Sequence, residues 1–142
     1  AYLVRDKFSN SYVLESDLYL YNQDLIRKYE YHSNFLGFKV DRTDDWCLET
    51  KNGIITKEKV GGLDCYQMCG ISYYDKETGK QMEKDIKEVF MSPGGKERYW
   101  EQVMLDIRKN NYKIYLRECK KEDIIEIDTF NELKAIDKTY DV

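Results

Sequence analysis

Two aspartates occupy the same kind of position. Asp17 follows a short strand-like segment, Tyr12 to Glu15, and Asp128 follows another, Ile124 to Ile127, immediately before a helix start. Ligands of open α/β sheets bind beyond the carboxyl ends of the strands, so two acids delivered there can converge on one point. Paired carboxylates are hard oxygen ligands that suit Mg2+, which keeps several waters and takes substrate phosphates as further ligands. The competing reading is structural, since Asp is common at strand ends and before helices. A second constellation is aromatic. Trp46, Tyr99 and Trp100 present large π faces, each worth roughly 1 to 2 kcal/mol to a desolvated quaternary ammonium. Asp44 and Asp45, just before Trp46, would add negative charge near such a cation. Alternatively, Tyr99 and Trp100 pack a helix face onto a sheet, and the two aspartates are solvated turn residues.

Other chemistry finds little support. The four cysteines, Cys47, Cys65, Cys69 and Cys119, are read as reduced, partly buried thiols, because a chain of this apolar content needs no disulfide staples. Cys65 and Cys69 form C-x3-C, but a zinc site needs two more soft ligands, and the single histidine, His32, stands beside none. One histidine also weakens any scheme built on a histidine base. Glycine-rich phosphate loops and a G-x-S-x-G elbow are absent from the sequence.

The elements that must position these residues follow from periodicity. Ser11 to Glu15 and Asn34 to Val40 read as strands, with a polar helical stretch around Gln23 to Glu30 between them. Trp46 to Lys51, Asn52-Gly53 and Ile54 to Val60 predict a hairpin, because Asn-Gly suits the positive φ angles of a type I′ turn. Gly61-Gly62 is expected to break the chain, and Cys65 to Tyr74 has the profile of a buried central strand. In Thr78 to Phe90 the residues Met82, Ile86, Val89 and Phe90 form one apolar stripe. In Lys96 to Asn110 the stripe is Tyr99, Trp100, Val103, Met104 and Ile107. Tyr112 to Arg117 and Ile124 to Ile127 are further strands, and Thr129-Phe130-Asn131-Glu132 is a capping box opening a last helix through Ile136.

The 142 residues, with 23 basic against 27 acidic side chains and a net charge of −4, predict one α/β domain over 1–142. The charge disfavours a nucleic-acid partner, and no apolar run reaches the roughly 20 residues of a membrane helix, so no membrane partner and a cytoplasmic location are expected. The start at Ala1, without Met and already in helical rhythm, reads as a fragment of something larger.

The segments Ser11-Tyr12-Val13-Leu14-Glu15-Ser16-Asp17, Thr43-Asp44-Asp45-Trp46, Gly70-Ile71-Ser72-Tyr73-Tyr74, Arg98-Tyr99-Trp100-Glu101 and Glu126-Ile127-Asp128-Thr129 occur in an order that resembles bacterial CTP:phosphocholine cytidylyltransferases of the LicC type, in the nucleotidyltransferase superfamily. The resemblance covers essentially the whole chain and corresponds to the carboxyl-terminal two thirds of such an enzyme, without its G-x-G-x-R loop. It implies a Rossmann-like mixed sheet with flanking helices, Mg2+ as cofactor held by Asp17 and Asp128 as catalytic metal ligands, and CTP and phosphocholine as substrates. It further implies a choline pocket from Trp46 and Tyr99 or Trp100, with Glu101 or Glu126 supplying negative charge. Where family members often carry D-A-D-N, this chain has Glu15-Ser16-Asp17-Leu18. Without the phosphate loop, the polypeptide alone is expected not to turn over, and an unfilled sheet edge predicts a homodimer. Two other readings stand beside this one: a sugar-1-phosphate nucleotidyltransferase, which would show convergent Asn, Gln, Glu and Lys, and a non-enzymatic interaction module.

Overall fold

The computed structural model describes residues 1–140. After a 3-10 turn at Tyr2–Lys7, the chain forms β1 (Ser11–Leu14), β2 (Leu18–Leu20), β3 (Asn34–Lys51), β4 (Ile54–Tyr74), α1 (Lys76–Met91), α2 (Trp100–Gln102), β5 (Tyr115–Glu118), β6 (Ile124–Glu126) and α3 (Phe130–Ile136). The main sheet has the order β1-β4-β3-β5, and β2 and β6 form a separate antiparallel pair. The sheet is mixed: β3 and β5 run parallel, whereas β4 is antiparallel to β1 and β3.

The β3–β4 hairpin organises the molecule. Asn52 and Gly53 turn it with φ of 53° and 74°, as the Asn-Gly pair predicts. The expected break at Gly61-Gly62 does not end the strand. β4 runs through it, with Gly61 at φ 73° and shifted registers on β3, so the two glycines bend the hairpin. The bend brings the tip back onto β5, where Ile55 donates to Ile114 at 2.9 Å and Leu116 donates to Gly53 at 2.8 Å.

The first five residues of β3, Asn34 to Phe38, are buried without interruption, because both sheet faces are covered there. Successive side chains alternate faces, so Phe35 enters one core with Met82, Ile86, Val89 and Met104, while Leu36 enters the other with Leu25, Ile71 and Cys119. The α1 stripe contributes roughly 1.5–3 kcal/mol per buried side chain, and its start is fixed by Asp75, which accepts from Thr78 and from the Ser33 hydroxyl.

Two further expectations are corrected. Gln23 to Glu30 holds a single 3-10 turn, Gln23–Leu25, because Leu25 is the only buried residue of that turn and no apolar stripe sustains a longer helix. The span from Lys96 to Asn110 is likewise broken. A 3-10 turn at Gly95–Glu97 precedes α2, and a π turn follows at Val103–Ile107, where Arg108 donates to Val103 at 2.8 Å. This wide turn buries three successive side chains, Val103, Met104 and Leu105, and leaves Tyr99 and Ile107 exposed. No helix among the described residues is long and apolar enough to cross a membrane.

Candidate active site

One cavity of about 340 Å3 opens where β1 ends, beside the β2–β6 pair. Its first wall is built by two short acidic repeats. Residues two apart on a strand share a face, and the chain carries Glu15-x-Asp17 after β1 and Glu126-x-Asp128 at the end of β6. The β2–β6 ladder sets Leu18 opposite Glu126, and the backbone of Ile127 donates to the carbonyl of Asp17 at 2.8 Å. Carboxylate oxygens of Glu15, Asp17 and Glu126 consequently lie within 4.8 Å of one another.

The cluster is electrostatically unfavourable without a counter-charge. Burial, then Glu101, Asp17 and Asp45, push the Glu15 carboxyl above its ordinary value. Burial and then Asp128, Glu15, Asp17 and Asp45 do the same to Glu126. Hard oxygen donors this close suit a divalent cation such as Mg2+. Gly70 makes the packing possible: it has φ 61°, and a Cβ there would stand 2.2 Å from Glu15 Oε2.

The second wall is aromatic. Trp46 and Tyr99 both line the cavity, their rings edge-on at 6.2 Å and 79°. Asp45 lines it as well, held by Gln67 at 3.2 Å, and Glu101 closes the inner end with only 7% of its surface exposed.

The candidates therefore separate. Asp17, Trp46, Tyr99, Glu101 and Glu126 meet in one cavity. Asp128 sits close enough to raise Glu126 but outside the three-carboxylate group; its N–H and that of Thr129 bond Glu132 at the capping box. Trp100 turns away from the cavity. Its ring packs on Phe35 at 5.9 Å and 13°, on Phe8 and on Tyr74, because one residue further along the turn it faces the core. Asp44 is exposed and pairs with Arg42 at 3.4 Å. Glu15 went unassigned in the sequence, although the Glu-x-Asp repeat at two strand ends carries its signal.

Cys69 and Cys119 share the core of Leu36, with their Sγ atoms 3.3 Å apart, and all four cysteines are free and buried. His32 is exposed and stacks on Tyr115 at 4.6 Å.

The fold is that of the nucleotidyltransferases. The solved structure of LicC, the CTP:phosphocholine cytidylyltransferase of Streptococcus pneumoniae, superposes with a TM-score of 0.82 at 22% identity, over 97% of this chain and 60% of that one. A nucleoside-diphosphate-sugar pyrophosphorylase from Vibrio cholerae gives 0.59 at 11% identity, over 87% and 54%. In sequence, the chain is 25% identical over 142 residues to the choline-phosphate cytidylyltransferase of Streptococcus pneumoniae, covering 96% of this chain and 60% of the relative. It is 24% identical over 136 residues to a 2-aminoethylphosphonate cytidylyltransferase of Lancefieldella rimae, covering 92% and 53%. No protein-family model matches the chain. The chain thus spans little more than half the length of the relatives it matches.

Proposed function

We propose that this chain carries the metal- and acceptor-binding part of a cytidylyltransferase that transfers a cytidylyl group from CTP to a small phosphorylated amine, phosphocholine being the acceptor its pocket suits. The observation that carries the reading is the juxtaposition of three carboxylates within 4.8 Å with an aromatic corner formed by Trp46 and Tyr99. A sugar site would present converging amide and lysine donors, whereas the residues lining this cavity include no Asn and no Lys.

Asp17, Glu15 and Glu126, with Asp128 beside them, would hold Mg2+. When bound, the ion neutralises phosphate charge and orients the triphosphate. The remaining work falls to the side chains. Trp46 and Tyr99 bind the onium head through their π faces, and Glu101 and Asp45 complement its charge. That grip fixes the acceptor so that a phosphate oxygen faces the α-phosphorus of CTP. The new P–O bond forms as the bond to pyrophosphate breaks, with no covalent enzyme intermediate and no histidine.

Phosphocholine and Mn2+ titrations of the wild type, Asp17→Asn, Glu126→Gln and Asp128→Ala test this. The first two substitutions should weaken Mn2+ binding more than tenfold, and Trp46→Ala should weaken phosphocholine without altering Mn2+. Unchanged affinity for both ligands in every variant would remove the reading.

A further inference from the structure

Within electrostatic reach of Glu101 lies an acid that the proposed reaction leaves unused. Glu58, on β4 opposite Leu48, has both carboxyl oxygens buried with no hydrogen-bond partner. Glu101 of α2, which closes the cavity, meets only its own backbone N–H. Ser72 and Tyr74 are completely buried, and their hydroxyls also lack a partner in hydrogen-bonding geometry. The Tyr74 hydroxyl lies within electrostatic reach of both glutamates. The titratable groups facing Glu58 are Glu101, Asp106 of the π turn and Tyr74 of its own strand. No ion pair reaches Glu58 or Glu101 among the described residues.

Two buried carboxylates with no counter-charge do not both ionise, since an isolated buried charge sheds its charge and like charges in one site hold a proton between them. Burial first, and Glu101 and Asp106 after it, push Glu58 up to about 8. Among the described residues neither Glu58 nor Glu101 joins a group of three ligands within 4.8 Å, so the pair offers too few donors for a metal ion and suits an organic cation better.

We propose that Glu58 is a proton-linked specificity residue for the cationic head of the acceptor: neutral in the free protein, it gives up its proton when an organic cation binds against Glu101. The O–H bond of the Glu58 carboxyl breaks, the electron pair stays on the carboxylate, and the proton passes to a buffer base. The bound cation cancels the repulsion from Glu101 and attracts the new carboxylate. A neutral sugar acceptor supplies neither effect. Glu58 acts through Glu101 and is a positioning residue.

This proposal rests on the cation-pocket reading above, and choline tests the two separately. Choline is permanently charged, so any pH dependence of its binding belongs to the protein. Binding is read from Trp46 fluorescence and checked by NMR of the choline methyls. In the wild type the affinity should tighten severalfold from about pH 6 to about pH 8 and then level off. Glu58→Gln should bind with no such slope in that range. Equal slopes in both proteins, or a flat wild-type profile with binding intact, would overturn the proton linkage alone. Absence of choline binding at every pH would overturn the pocket reading and the linkage with it. Should Glu58→Gln fail to fold, the carbon-13 titration of the buried glutamate carboxyl in the wild type decides: saturating choline should move its midpoint to lower pH, and an unmoved midpoint refutes the proposal.

Discussion

The backbone N–H of Ile127 donates to the carbonyl oxygen of Asp17 at 2.8 Å. This one bond extends the β2–β6 ladder to the point where two Glu-x-Asp repeats, from opposite ends of the chain, face each other. A carboxylate cluster built this way depends on long-range backbone pairing, and most of the following expectations probe that dependence.

Gly70→Ala forces φ of 61° on a residue with a side chain and drives its Cβ into Glu15. Urea denaturation should show a loss of about 1–3 kcal/mol, and Mn2+ binding should weaken in parallel, because the displaced carboxylate belongs to the cluster.

Glu126 is raised above its ordinary value by burial and four neighbouring acids. A raised carboxyl stabilises the folded state most at low pH, and that contribution is lost as pH rises through its folded value. Glu126→Gln should therefore raise the Tm of the metal-free protein at neutral pH while weakening divalent-cation binding. A lower Tm for the variant would contradict the repulsion.

Glu58 rises to about 8. Its contribution to stability should decline between the ordinary glutamate value and about pH 8, then flatten. Relative to Glu58→Gln, the wild type should lose stability over that window in thermal unfolding across a pH series.

Trp100 is a core ring, whereas Tyr99 is 62% exposed. Trp100→Ala should cost about 3–5 kcal/mol, and Tyr99→Ala about 0.5 kcal/mol or less. Choline affinity should respond in the opposite order, with the Tyr99 variant weakened and a still-folded Trp100→Phe nearly unchanged.

Arg117 forms a buried ion pair with Glu30, which also accepts from the Tyr12 hydroxyl on β1. Removing one partner strands a buried charge, so Arg117→Met should cost about 3–5 kcal/mol. Breaking the exposed Lys39–Asp64 pair should leave stability nearly unchanged, because solvent screens it.

The legible parts of the sequence were those with short-range causes. Asn52-Gly53 fixes its turn through φ, Met82, Ile86 and Val89 mark one face of α1, and Thr129 with Glu132 closes its box within a single helical turn. Asp17 and Asp128 could be placed just past strand ends for the same reason. The break expected at Gly61-Gly62 became a bend because β3 supplies partners on both sides of it. The helix expected from Lys96 to Asn110 became a π turn because Val103, Met104 and Leu105 are all drawn into the core.

By itself, then, the sequence determined the local elements and the presence of acids and rings at their ends, since hydrogen bonds and side-chain periods within a few residues decide those. Only the tertiary structure decided which of them meet. It joined Glu15 to Asp17 and Glu126, chose Tyr99 over Trp100 for the cavity, and buried Glu58 within electrostatic reach of Glu101. Those outcomes turn on strand pairing between distant segments and on which side of a turn faces the core, and no local pattern encodes either.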